Sequence, residues 1–185
     1  MAIEKTLVVL KPDALRRRLV KKIVLYLLDE KYGLALIADK FIGKATMEQL
    51  DAHLPGNREW VTAMGERAIR RVPDPVPTFG TNDPYAVGTL IRNGCVDYYL
   101  SGPLLVLVLL GEDAVQTVRN MLGSALPSQA AKGTIRGDLG ESEEEGAISA
   151  TRNLVHASDS PDEARREIAA WFTGEEIKKR LFFVV

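Results

Sequence analysis

Ten residues, TRNLVHASDS at 151–160, hold the densest set of chemically capable side chains in this chain of 185 residues. At their centre is His156, one of two histidines. The apolar pair Leu154 and Val155 leads into it as a strand would, and Ser158, Asp159 and Ser160 break the pattern as a helix start does. Imidazole is the side chain that titrates nearest neutrality, so a ring at such a seam can serve as base or nucleophile. The plainer reading is a hydrogen-bonded structural histidine. Asn153, Ser158 and Glu167 bear on the choice, since an amide, a hydroxyl and a carboxylate around one ring can fix its tautomer and sharpen it as a nucleophile.

The elements that must position these groups follow from the neighbouring residues. Ser160, Pro161 and Glu163 predict a helix with a serine N-cap, proline at the first helical position and a glutamate closing a capping box. On that helix Ala164, Ile168, Trp171 and Phe172 form the apolar stripe, and Glu167 falls on its border, able to lean toward the strand that the helix covers. The other reading of Glu167 is an edge carboxylate paired with an arginine.

Charge and composition narrow the functional classes. Lys plus Arg number 24 against 25 Asp plus Glu, so net charge gives no reason to expect nucleic-acid or membrane-surface binding. The single cysteine, Cys95, rules out an intrachain disulfide and a Cys-rich metal site, and it suits a reducing compartment. The N-terminus mixes acid and base before a brief apolar run, unlike a signal peptide, and the run at 104–110 is far too short to span a bilayer. A cytoplasmic protein of one domain, residues 1–185, is expected.

In chain order, Thr6 to Leu10 reads as a buried strand ending at Lys11-Pro12, which opens a helix. Leu15, Leu19, Ile23 and Leu27 predict that helix as one continuous piece ending near Gly33; its arginines and lysines at 16–22 read as a solvated face. Strand character returns over 33–42, and Thr46 begins a short polar helix that places His53 on the surface. Residues 61–100 read as a mostly helical insertion, with a loop at the prolines 73, 75 and 77. A central strand at 103–110 is followed by a helix that carries Arg119 and stops at Gly123. The acidic run at 141–145 reads as a solvated loop. Two strand-helix-strand units predict a ferredoxin-like α/β sandwich, a four-stranded antiparallel sheet with helices on one face. Lys11, Arg119, Arg136 and His156 then all come from edges, ends or loops, where they can define a phosphate site: cations neutralise charge on the phosphoryl oxygens while the imidazole attacks in line.

LVVLKPDAL, SGPLLVLVLLGEDAV, VRNMLG, GTIRGD and NLVHASDS, in that order and followed by Trp171-Phe172, resemble a nucleoside diphosphate kinase over nearly the whole chain outside the middle segment. The resemblance implies transfer of the γ-phosphoryl of a nucleoside triphosphate to a nucleoside diphosphate, by a ping-pong route through a phosphohistidine, with Mg²⁺ carried on the nucleotide phosphates rather than on protein ligands. It implies that His156 is the phosphorylated nucleophile, that Glu167 orients it with Ser158 alongside, and that Lys11, Arg119, Arg136 and Asn153 hold phosphates and ribose. It also implies a homo-oligomer, since members of the family are usually hexamers or tetramers.

The sequence departs from the family pattern in three places. Ala125 stands where a phosphate-contacting threonine is usual, leaving Ser124 as the nearby hydroxyl. Leu54 stands where a tyrosine is usual, and Trp60 corresponds to the aromatic that stacks on the base, with altered spacing; alternatively Trp60 anchors the inserted segment to the core. Most of 61–100 is absent from shorter members. The alternative to an active kinase is a catalytically impaired nucleotide-binding scaffold of the same family, and a protein-histidine phosphotransferase activity is compatible with the same residues.

Overall fold

The computed structural model describes residues 2–141 and 151–181. Four strands, β1 (Ile3–Leu10), β2 (Ala35–Ile42), β3 (Leu104–Glu112) and β4 (Val155–Ala157), form one antiparallel sheet in the order β2-β3-β1-β4. That is the ferredoxin-like arrangement expected. Leu7, Val8, Val9 and Leu10 are all fully buried, because β1 is a central strand with a packed layer on either side. Leu7 and Val9 face one apolar cluster, Val8 and Leu10 the other. Helices therefore cover both faces rather than one, and an uninterrupted apolar run is the sequence form of a strand buried twice.

The first face carries α3 (Met47–His53) and α9 (Pro161–Trp171), through Leu50, Ile168 and Trp171. The second carries α2 (Val20–Leu27) and α7 (Ala114–Leu122), through Ile23, Leu27, Val118 and Leu122. The continuous helix expected after Pro12 is broken into α1 (Pro12–Arg16) and α2. Arg18 between them has φ 57°, a left-handed value that ends a helical run, so the four-residue leucine spacing spans two short helices rather than one.

Between β2 and β3 lie α4 (Arg58–Ile69), α5 (Pro75–Phe79) and α6 (Pro84–Leu100). The proline cluster is partly helical, since Asp74 caps α5 by accepting from the Val76 amide and proline sits readily at a first helical position. α4 and α6 cross so closely that a Cβ on Gly65 would lie 1.8 Å from the Pro84 carbonyl oxygen, and one on Gly88 1.9 Å from that of Val61. Only glycine fits either position. The short α8 (Ile135–Leu139) precedes residues 142–150, so the expected acidic loop lies, apart from Glu141, outside the described residues. A last helix, α10 (Gly174–Leu181), follows α9. Among the described residues no helix is long and apolar enough to cross a membrane.

Candidate active site

β4 is three residues long and lies at the sheet edge, with His156 opposite Val9 of β1. Strand alternation turns Val155 and Ala157 to the α2/α7 face and His156 to the α3/α9 face, its side chain 24% exposed. The turn into β4 is unusual: Leu154 has φ 70°, its amide donates to Asp13 Oδ2 at 2.9 Å, and its carbonyl accepts from the Lys11 amide at 2.8 Å. A buried leucine in the left-handed region is strained, and these bonds hold it there beside the imidazole.

Helix α9 brings Glu167 under the ring. Ser160 caps it by accepting from the Glu163 amide at 3.2 Å, but the expected capping box is half made, because the Glu163 carboxylate pairs with Arg166 instead. Glu167 is 3% exposed, and both its oxygens lie 3.0 Å from His156 Nε2. Ser158, fully buried, donates its hydroxyl to Glu167 Oε2 at 2.7 Å and accepts from the Leu7 amide at 3.3 Å. Burial would raise the Glu167 pKa, but the charge and hydrogen bond of the imidazole and the serine hydroxyl outweigh it and hold the carboxyl at about 2. A carboxylate can only accept, so Nε2 carries the proton and Nδ1 keeps its lone pair. Arg166, 3.8 Å from Oε1, is a weaker neighbour.

The expected cations converge on the same cleft, of roughly 1190 Å³, whose lining includes Lys11, Arg119, Arg136, Asn153, His156 and Glu167. Lys11, at the end of β1, donates from Nζ to Asn153 Oδ1 at 2.7 Å and to the Thr151 carbonyl at 2.8 Å. Burial lowers its pKa to about 8, with a smaller push from Arg136. Asn153 donates in turn to the Ala125 carbonyl at 2.7 Å, so Ala125 contributes a backbone oxygen to the lining where a hydroxyl was expected to matter. The Ser124 hydroxyl also lines the cleft but accepts from the Leu126 amide at 3.3 Å. Arg119 pairs with Asp159 across the cleft mouth.

Arg136 is bound more tightly to the fold than a purely phosphate-holding role would require. Its guanidinium donates to the carbonyls of Asn153 at 3.2 Å, Gly123 at 2.8 Å and Val155 at 2.6 Å. It thereby joins the α7 stop, the turn before β4 and β4 itself. Burial first and the neighbouring Arg119 second bring its pKa down to about 10, so it remains cationic at neutral pH.

Two parts of the site lay outside the expected set. His53, expected on the surface, is fully buried, and its ring sits 4.8 Å from that of His156 in an edge-to-face arrangement. Tyr99 and Trp171 enclose it, each 5.6 Å away between ring centroids. Burial and the adjacent His156 depress its pKa to about 3, so it is neutral. The signal was available: Leu50, His53 and Leu54 lie at helical i, i+3, i+4 spacing, and all three are buried. The second part adjoins the expected Trp60: Met64, Arg67 and Ala68 of α4, with Arg71 just beyond its end, also line the cleft. Trp60 also packs against the core cluster, with the Arg166 guanidinium 5.9 Å from its ring centre.

An antiparallel sheet covered by helices on both faces, with an edge imidazole, a buried carboxylate behind it and lysine and arginine lining the same cleft, defines a phosphotransferase. A family model described as nucleoside diphosphate kinase matches residues 88–177. The nucleoside diphosphate kinase of Pyrobaculum aerophilum is 42% identical over 184 residues, covering 96% of this chain and 99% of the relative. That of Methanobrevibacter smithii is 37% identical, covering 95% and 91%. Among solved structures, the NDP kinase from Pyrobaculum aerophilum superposes with a TM-score of 0.79 at 42% identity, over 95% of this chain and 99% of that one. The Borrelia burgdorferi enzyme, a transition state mimic with bound vanadate and ADP, superposes with a TM-score of 0.70 at 25% identity, over 94% and 89%. The chain belongs to the nucleoside diphosphate kinase family. It is a phosphotransferase acting on nucleotides, and the family uses a divalent cation.

Proposed function

We propose that this kinase works by a ping-pong route in which His156 Nδ1 takes the γ-phosphoryl of a nucleoside triphosphate and passes it to a nucleoside diphosphate. The observation that carries the reading is the Glu167 carboxylate at 3.0 Å from Nε2, which leaves the Nδ1 lone pair for attack. As Nδ1 bonds to phosphorus the bond from phosphorus to the β,γ-bridging oxygen breaks, and the imidazolium that develops is stabilised through Nε2–H by the anionic Glu167. Ser158 keeps that carboxylate in place. Donor anhydride and phosphoramidate are both energy-rich, so the exchange runs in either direction.

Lys11, Arg119 and Arg136 hold the phosphates, Arg119 exchanging Asp159 for a phosphate oxygen and Arg136 offering its charge and the second N–H groups of Nη1 and Nη2. Asn153 holds the ribose side with Lys11, and the Ala125 carbonyl steadies Asn153. Trp60 supplies the base platform. Mg²⁺ would be the cation, carried chiefly on the nucleotide phosphates and water, with Asp159, once released by Arg119, the cleft carboxylate able to approach it. When bound it neutralises phosphate charge. The transition state mimic of the Borrelia burgdorferi relative, with bound vanadate and ADP, supports phosphoryl transfer between nucleotides here as well.

We further propose a single domain over 1–185 with an insertion at about 61–100, a homo-oligomeric assembly measurable by light scattering, and a cytoplasmic location suited to the free Cys95. Incubation with a γ-labelled triphosphate and Mg²⁺ should place label on the protein, stable in alkali and lost in acid, and a diphosphate should remove it. Bound nucleotide with no label on protein would instead support the scaffold reading, and His156→Ala should abolish labelling.

A further inference from the structure

His53 is a buried side chain with neither ring nitrogen hydrogen-bonded to any described residue. A fully buried imidazole without a partner costs free energy, and such a group calls for an explanation in ion binding, water or chemistry. One of its nitrogens, one nitrogen of His156 and one oxygen of Glu167 all lie within 4.8 Å of one another. Two imidazoles and a carboxylate are the donors of a zinc-class ion, whereas Mg²⁺ takes oxygen ligands and would pass the site by.

We propose that His53, His156 and Glu167 form an inhibitory site for Zn²⁺. Ligand atoms at about 2.0–2.1 Å from one zinc ion in a tetrahedral site stand about 3.3 Å apart. The pair His156 Nε2 and Glu167 Oε1, at 3.0 Å, is close to that separation already. Ser158 occupies Oε2, which leaves Oε1 for the ion. Entry is from the cleft, which both His156 and Glu167 line. Arg166 stands 3.8 Å from Oε1, but its charge is directed to Glu163 and to the carbonyls of Ala52 and His53. Only the movement of His53 is needed to complete three ligands, with water as the fourth.

The consequence for catalysis is a switch of tautomer. Zn²⁺ takes the lone pair of Nε2, so the single ring proton must leave Nε2 and, through cleft water, be carried on Nδ1. No electron changes hands and no net proton is released by His156. Nδ1 then has no lone pair for phosphorus, and Glu167 is no longer free to stabilise an imidazolium. Zinc should therefore silence phosphotransfer while leaving nucleotide binding in place. The loss of activity rests on His156 being the nucleophile; the binding of the ion does not.

The test uses the full chain freed of divalent ions. Co²⁺, a spectroscopic stand-in for Zn²⁺, should bind at one ion per chain with the intense visible d–d bands of a tetrahedral site, and Zn²⁺ should abolish them by displacement. His53→Phe, which keeps a buried ring in place of the imidazole, should weaken Co²⁺ by at least ~100-fold, beyond the 10–100-fold typical of losing an outer-shell partner. His53→Gln serves if the phenylalanine variant does not fold. With Mg²⁺ and nucleotides saturating, the zinc concentration that halves activity should rise by the same factor in either variant. Absence of tetrahedral bands, or bands unchanged in both His53 variants, would overturn the site. If His156→Ala were still labelled by triphosphate, the nucleophile assignment would fail while the Co²⁺ result stood or fell separately.

Discussion

Glu167 reaches His156 from a different element, across the join between α9 and the edge strand, and meets Nε2 with both oxygens at 3.0 Å. Ser158 fixes this carboxylate from the far side at 2.7 Å. Glu167→Gln keeps the shape but removes the negative charge. Single-turnover labelling of His156 should slow on the order of 100-fold, as for loss of one preorganised electrostatic group. Ser158→Ala should cost less, about 10-fold, with rapid-quench measurement separating the two. Equal rates for all three proteins would remove Glu167 from the mechanism.

Lys11 sets an alkaline limit. Burial brings its pKa down to about 8, so the cation that faces the phosphates is present below that pH and lost above it. In the free enzyme kcat/KM should fall as pH rises through about 8, while kcat should hold to higher pH because bound phosphate favours the charged form. The effect on stability has the opposite sense. A lysine whose pKa drops from 10.5 to about 8 on folding binds fewer protons folded than unfolded, so its contribution to stability rises between those two values. Lys11→Gln should remove the alkaline limb; a limb that persists would belong to another group.

Arg119 and Arg136 should separate cleanly. Arg119 is partly exposed, with Asp159 as its ion-pair partner, so Arg119→Ala should cost about 2–4 kcal/mol of transition-state stabilisation with little change in melting temperature. Arg136→Ala leaves three carbonyls without their donor, two of those bonds being buried, and should lower stability by about 2–5 kcal/mol as well as activity. Calorimetry beside steady-state kinetics distinguishes the two. An Arg136→Ala protein of unchanged melting temperature would contradict its tie to the fold.

Trp60 lines the cleft and also packs against the core. As a base platform it should contribute roughly 1–3 kcal/mol to every nucleotide, because each base has a π-face. Trp60→Ala should weaken purine and pyrimidine diphosphates by similar factors, and diphosphate binding should quench its fluorescence in a Trp171→Phe background. Unchanged affinities with a lowered melting temperature would assign it to packing alone.

Much of this could be read from residue order. Apolar runs of strand length, the Lys11-Pro12 junction and the Ser160-Pro161 cap are local signals, and they place four strands and the helices beside them. Local signals also put His156 at a strand end and Glu167 within reach of it. They failed where a single residue's backbone or burial overrode a pattern: the left-handed Arg18 divides a helix whose leucine spacing looks continuous, and the Asp74 cap makes a turn of helix out of a proline cluster.

Charge placement was legible in the sequence because Lys11 closes an apolar strand run and Arg136 stands in a short segment between glycines. What those cations touch was not. Arg136 reaches three carbonyls from two stretches of chain, Gly123 at the α7 stop and Asn153 with Val155 at the start of β4, which only the folded chain brings together. His53 looked like a surface residue because its helix is polar in composition, but α3 lies against α9, and the stripe Leu50, His53, Leu54 is what it buries. Sequence by itself determined the strands and the caps, since each depends on residues within a few positions, and it brought forward His156 and Glu167 as candidate reacting groups. Tertiary packing alone decided which imidazole nitrogen is free and which histidine is sealed behind it, because both depend on contacts between segments far apart along the chain.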